Sequence, residues 1–193
     1  MSHRAGRRIG RGPAVVAFVL AAAGAGLLAV HDRASAAPPH VDPALGREVR
    51  PVVDRYVLTA AAGPLGSARP AEPGGNAPRA FCTERVIEIR PAGSAVRVGL
   101  VAWCGHYVRD GDGVSAVDAG ISAGVLTVSP ASAPARVTGA SWEPDDRLST
   151  WAPAHFSPEG TSEVERVLGD SAAHLDDPVA LARTAFGVGA PAR

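Results

Sequence analysis

A chain of 193 residues is long enough for one domain with a sizeable hydrophobic core and too short for two comfortable ones. Its 19 basic residues are all arginine, 19 acidic residues balance them, and no basic stripe interleaved with aromatic residues occurs. This composition argues against nucleic-acid binding, because proteins that bind nucleic acids concentrate positive charge along one surface.

The first 36 residues have the pattern of a signal peptide. Arginines precede an apolar run from Ala14 to Val30, and Ala34-Ser35-Ala36 matches the small-residue motif at which signal peptides are cleaved. We therefore predict a signal peptide at 1–36 and a single secreted domain at 37–193. The alternative is an uncleaved anchor that holds the domain at the outer face of the cytoplasmic membrane, because the 17-residue run reaches the lower length limit of a membrane span.

Cleavage of this leader changes the charge of the protein. It removes five arginines and Asp32, which leaves 14 basic and 18 acidic residues and a net charge of about −4 with neutral histidines. The exported domain is therefore mildly acidic.

The exported domain begins with a predicted helix at 40–62. Asp42 and Pro43 suit the N-cap and the first helical position, and apolar residues recur after them at spacings of three and four. Pro51 should kink this helix or split it. A stretch rich in proline, glycine and alanine at about 63–79 predicts a flexible loop.

The next segment predicts a β-hairpin with its tip at residues 92–94. In that register the numbers of paired residues add up to 186, so Ile89 faces Arg97 and Cys82 faces Cys104. These are the chain's two cysteines, and a directly opposed pair needs little adjustment to reach disulfide distance. Export supplies an oxidising compartment, so we predict a disulfide between Cys82 and Cys104.

The remaining elements complete an α+β fold. The segment 109–113 predicts a turn, and strands are expected at 124–129 and 135–143. Helix N-cap signals at Ser162 and Asp177 predict two short helices near the C-terminus. We therefore expect an N-terminal helix packed on a curved four-stranded antiparallel sheet, with short C-terminal helices.

The runs VAWCGHYVRDGDG, DAGISAGVLTV, VTGASWEPDD and STWAPAHFSP resemble a group of exported proteins of Gram-positive bacteria. That group has a helix before a curved antiparallel sheet of the cystatin-like or nuclear-transport-factor-2-like type. The resemblance covers about 81–158 and implies this fold. It implies no activity, because none is established for the group.

Two motifs that are typical of a catalytic site and of a metal site lie in segments that do not favour those structures. Gly120 to Gly124 matches G-x-S-x-G around Ser122, and Asp145, Asp146 and His155 follow in the order of a hydrolase triad. A nucleophile elbow needs a helix after the serine, whereas the residues that follow Ser122 favour a strand.

The segment Asp110 to Gly113 starts like a calcium loop but lacks the later ligands. The histidines lack metal-ligand spacing, so we predict no metal site and no cofactor.

A cone-shaped pocket between helix and sheet would give the fold a binding site. Its candidate lining residues are Glu84, Trp103, His106, Tyr107 and Asp110, of which Glu84, His106 and Asp110 could serve in acid–base chemistry. We expect a non-catalytic binding or interaction module of the cell envelope, with a protein or a small ligand as partner. The alternatives are a small-molecule binder or enzyme that uses this pocket, and a cystatin-like inhibitor, which is disfavoured because the chain has no glutamine.

Overall fold

The structure, a computed structural model, describes residues 41–61, 77–133, 136–144 and 147–189, which belong to the unit Pro38–Arg193. The predicted signal peptide, most of the predicted loop at 63–79, and both Asp145 and Asp146 lie outside the described residues. Within the described ranges the order of elements is one helix, four strands and four further helices. This order confirms the predicted α+β class.

Helix α1, Pro43–Ala61, begins where the sequence predicts. Asp42 Oδ1 accepts a hydrogen bond of 2.7 Å from the backbone N–H of Ala44, which satisfies one of the unpaired donors of the first turn. The helix continues through the exposed Pro51, so the expected split does not occur. A fully buried stripe of Val49, Val53 and Val57 packs both halves of the helix against the sheet, and this packing offsets the hydrogen bond that proline cannot donate.

The sheet is an antiparallel meander of β1 (Arg79–Ala92), β2 (Ala95–Asp110), β3 (Gly113–Ser129) and β4 (Arg136–Trp142). β1 and β4 are its edges. Gly93 and Gly111 have positive φ angles of 66° and 57°, which the two tight turns require and which glycine adopts without strain. β3 is much longer than the strand predicted at 124–129, because it begins directly after the turn at Gly111 and includes Ser122.

The hairpin of β1 and β2 has a two-residue tip and a β-bulge. Ala92 pairs with Ala95 and Ile89 with Val98, so the predicted partner of Ile89 is wrong by one position. The bulge at Ile87 inserts one extra residue and restores the predicted register, in which Cys82 pairs with Cys104.

Helices cover both faces of the sheet. We call the face that packs against α1 the α1 face and the opposite one the C-terminal face. The core of the α1 face consists of Val49, Val53, Val57, Val96, Val98, Leu100, Ala102, Leu126 and Val128. The core of the C-terminal face consists of Ile87, Val101, Ala123, Val125, Trp151, Ala152, Phe156, Val164, Val167 and Leu175.

The C-terminal face is covered by α2 (Leu148–His155), α3 (Pro158–Gly169), α4 (Ser171–His174) and α5 (Pro178–Phe186). α5 begins at Asp177 as predicted, since Asp177 Oδ1 accepts from the N–H of Val179 at 2.9 Å. α3 begins at Ser157 instead of Ser162, because Ser157 Oγ caps the helix by accepting from the N–H of Gly160 at 2.9 Å. None of the helices in the described ranges has both the length and the apolar character of a membrane span.

Candidate functional site

An open cleft of about 590 Å³ lies at the outer edge of β1. α1 forms one wall, the segment around α4 forms the other, and β1 forms the floor between them. A site of this volume lies within the range of small-ligand and peptide sites. The lining residues are Pro43, Gly46, Arg47 and Arg50 of α1, Thr83 to Val86 of β1, and Ala172 to Asp176.

The floor of the cleft presents backbone groups of β1. The Cα atoms of Cys82 and Cys104 are 4.1 Å apart, which is the spacing of a non-hydrogen-bonded pair in an antiparallel ladder. In such a pair the N–H and C=O groups point away from the neighbouring strand. Because the pattern alternates and the register is unbroken from Cys82 to Val86, the backbone groups of Glu84 and Val86 also point outward, into the cleft.

Glu84 is the titratable group on this floor. Its side chain is 11% exposed, and Arg50 Nε lies 4.0 Å from its Oε1. Burial, together with the hydrogen bond and negative charge of Asp54, raises the pKa of Glu84 from 4.5 to about 7, and the charge of Arg50 opposes the shift. A carboxyl group with this pKa exchanges its proton near neutral pH.

An ion-pair network fixes the wall opposite α1. Arg85 Nη2 donates to Glu163 Oε1 at 3.0 Å, and Arg166 Nε donates to Glu163 Oε2 at 2.8 Å. These contacts, led by the hydrogen bond from Arg166, lower the pKa of the buried Glu163. Thr83 Oγ1 donates to the carbonyl of Asp176 at 2.6 Å. This hydrogen bond joins β1 to the segment that follows α4.

A disulfide joins Cys82 and Cys104 next to this floor, as predicted. Both cysteines pack against the core of the α1 face. The bond links neighbouring strands two residues before Glu84, so it restrains the backbone that lines the cleft.

The other predicted pocket residues lie elsewhere. Trp103 packs into the core of the C-terminal face, and Tyr107 lies 3% exposed against the ring of Phe81 at 6.1 Å. Burial is the main cause of a raised pKa at Tyr107. His106 is buried, with Nδ1 2.8 Å from Asp118 Oδ1, while the exposed Asp110 accepts a bond from Ser115 near the β2–β3 turn. Of the five candidates, Glu84 alone is among the residues that line this cleft.

The hydrolase motif does not form a nucleophile elbow. Ser122 lies inside β3, paired with Ala102, and the strand continues to Ser129 where a nucleophile elbow would start a helix. His155 contacts another serine, with Nε2 3.4 Å from Ser141 Oγ, while its Nδ1 lies 2.8 Å from the carbonyl of Trp151. The contact with Ser141 ties α2 to β4. Among the described residues no group of three or more His, Cys, Asp or Glu side chains is placed to hold a metal ion.

Like Glu163, Glu88 is a buried carboxylate that no sequence motif singles out, and it is 4% exposed. It accepts bonds from the backbone N–H of Ser157 at 3.2 Å and from Ser157 Oγ at 2.6 Å, and it pairs with Arg90 Nε at 2.9 Å. Strict alternation would direct Glu88 to the α1 face. The bulge at Ile87 directs it to the C-terminal face, where it stabilises the start of α3.

In comparison with known proteins, no family model, no curated protein and no solved structure matches the chain. The site is therefore interpreted from its own geometry.

Proposed function

We propose that the protein is an exported, non-catalytic binding module of the cell envelope whose ligand occupies the cleft beside β1. The observation that carries this proposal is the cleft itself, which combines an open volume of about 590 Å³ with outward-facing backbone groups and charged side chains. The disulfide supports export, because such bonds persist in oxidising compartments.

The position of the helices favours this cleft over a sheet face. Both faces of the sheet are packed against helices and contribute to two hydrophobic cores. A partner that bound over either core would have to displace a helix and expose that core. A partner reaches the edge of β1 without displacing a helix.

The test compares two tryptophan substitutions in exposed alanines. Ala173→Trp places a bulky ring in the cleft, whereas Ala185→Trp places the same ring on α5, outside the lining residues. Envelope components that the wild-type protein binds should be identified by affinity capture and their dissociation constants then measured with purified material. We expect Ala173→Trp to weaken binding at least about tenfold and Ala185→Trp to leave it unchanged. Equal binding by both variants would show that the cleft is not the site.

A second candidate function is favoured by the pKa of Glu84 alone. A carboxyl group with a pKa of about 7 beside a cleft is suited to general acid–base catalysis on a small ligand. A screen for ligand-induced thermal shifts, followed by turnover assays on each hit, tests this function. If Glu84→Gln abolishes turnover and leaves ligand affinity unchanged, the protein is an enzyme rather than a non-catalytic binding module.

A further inference from the structure

We propose that the ligand of this cleft is an extended polypeptide that adds to β1 as a fifth antiparallel or parallel strand and places an acidic side chain against Arg47 and Arg50. This inference rests on the proposed function, in which the cleft is a binding site. It adds the chemical class of the ligand and the groups that recognise it.

The first argument is the pattern of backbone groups. Glu84 and Val86 direct both N–H and C=O toward the cleft, and no strand of the described residues pairs with this edge of β1. Two residues with outward donors and acceptors supply the repeated bonds through which an added strand binds. A compact ligand with one or two polar atoms would leave some of these groups without a partner.

The second argument is the shape of the cleft. Thr83 to Val86 form a floor about 13 Å long, at a rise of about 3.3 Å per residue. The bulge at Ile87 ends this regular edge, because the direction of the backbone groups changes there. The floor therefore accommodates about four residues of an extended chain.

The third argument is the protection of the edge. β1 is 14 residues long, and an unprotected edge of that length favours aggregation with the sheets of other molecules. Here α1 and the segment at 172–176 stand on either side of the floor. These walls obstruct the approach of another sheet to this part of β1.

The fourth argument is charge. Arg47 and Arg50 line the α1 wall and are exposed. Arg50 Nε lies 4.0 Å from Glu84 Oε1. On the opposite wall Arg85 is already paired with Glu163. The positive charge available to a ligand is thus on the α1 side, although the predicted exported domain carries an excess of acidic residues. An acidic side chain on that side of the strand would be complementary.

The experiment begins with selection of binders from a displayed library of random peptides against the disulfide-bonded protein. Selected peptides are synthesised, and their dissociation constants are measured by fluorescence anisotropy. We expect the double variant Arg47→Glu/Arg50→Glu to weaken binding at least about tenfold. The control Arg55→Glu reverses an exposed arginine of α1 outside the cleft and should change affinity less than about twofold.

Backbone recognition is tested separately by N-methylation of each peptide amide in turn. In an added strand, methylation should abolish binding at alternate positions and be tolerated between them. Hydrogen exchange of the protein should slow at the amides of Glu84 and Val86 when peptide binds. The amides of Thr83 and Arg85, which face β2, should change little.

The outcomes separate this inference from the proposed function. If no peptide is selected while Ala173→Trp still abolishes binding of an envelope component, the cleft is a binding site and the polypeptide ligand is wrong. Peptides that bind but tolerate methylation at every position also overturn strand addition. Equal binding of the envelope component by the Ala173→Trp and Ala185→Trp variants contradicts the proposed function itself.

Discussion

The carboxyl group of Glu84 is held between a carboxylate and a guanidinium, with most of its surface removed from water. Burial and the neighbouring Asp54 disfavour its charged form, and the attraction of Arg50 at 4.0 Å does not compensate for them. With Glu84 charged, the protein is therefore less stable than it would be with a neutral side chain at this position.

This balance predicts how Glu84→Gln changes stability with pH. Because the pKa is raised from 4.5 to about 7 on folding, the native state binds more protons than the unfolded state between these values. The contribution of Glu84 to the free energy of unfolding therefore falls as pH rises from 4.5 to 7 and is constant above that range. At pH 8, Glu84→Gln should be more stable than the wild type by up to about 3 kcal/mol, and at pH 4 the two should be equal.

Chemical denaturation of both proteins at pH 4 and pH 8 measures this difference. The control Glu165→Gln removes the same charge from an exposed position on α3 and should change stability by less than about 0.5 kcal/mol at either pH. A Glu84→Gln variant that is less stable than the wild type at pH 8 would show that the ion pair with Arg50 outweighs the cost of burial.

The sequence identified Glu84 as a candidate but could not identify its environment or that of Glu88. Glu84 is recognisable as a titratable residue in a strand, whereas its proximity to Asp54 depends on how α1 packs across the sheet. The face on which Glu88 lies depends on a one-residue bulge. Neither the packing of α1 nor the bulge is determined by residues close by in the sequence. Residue types and spacing alone could therefore not predict the cleft.

At the scale of elements, the hairpin shows how a partly wrong register can still give the correct pair. The tip has two residues instead of three, which shifts the strands by one position near the turn. The bulge at Ile87 shifts them back before Cys82 is reached. The predicted cysteine pair is correct because the tip and the bulge shift the register in opposite directions, and no glycine or proline marks the bulge in the sequence.

The disulfide of this hairpin predicts a measurable loss of stability in the double variant Cys82→Ala/Cys104→Ala. The bonded residues are 22 apart in sequence, and a loop of about this length contributes roughly 3 kcal/mol by restricting the unfolded chain. Residual hairpin structure in the unfolded state would reduce this value. We expect a folded protein whose melting temperature is lower by up to about 6 to 12 °C.

Calorimetry of the variant and of the wild type with and without reductant measures this effect. Reduction should lower the melting temperature of the wild type to that of the variant and leave the variant unchanged. An unaltered melting temperature in both comparisons would contradict the stabilising role of the bond.

Among the helices, those with a clear apolar period or cap were predictable and the others were not. α1 has a valine stripe at a spacing of four, and α5 has the Asp177-Pro178 start. α2 contains Pro153 and is only eight residues long, and α4 has four residues, so neither carries a full helical pattern. The conformation of α2 depends on the packing of Trp151 and Ala152 in the core of the C-terminal face, which sequence periodicity does not encode.

For the whole molecule, coverage of both sheet faces limits where a partner can bind without unfolding. The two cores are separated by the sheet, and each depends on its own layer of helices. The edge of β1 lies between these layers and gives a partner access to backbone groups without disturbing either core. This arrangement supports the proposal that the ligand binds at the edge of β1 rather than on a face of the sheet.

The predicted signal peptide determines the mass expected for the exported protein. If Ala34-Ser35-Ala36 is a cleavage motif, the native exported protein begins at Ala37 and lacks the apolar run. Intact mass spectrometry of protein recovered from the culture medium should give the mass of residues 37–193 less two hydrogen atoms, because the cysteines are joined. Alkylation should label no thiol before reduction and two thiols after it. Recovery of the full-length mass from the membrane fraction would instead identify residues 14–30 as an uncleaved anchor, and two reactive thiols before reduction would contradict the disulfide in the exported protein.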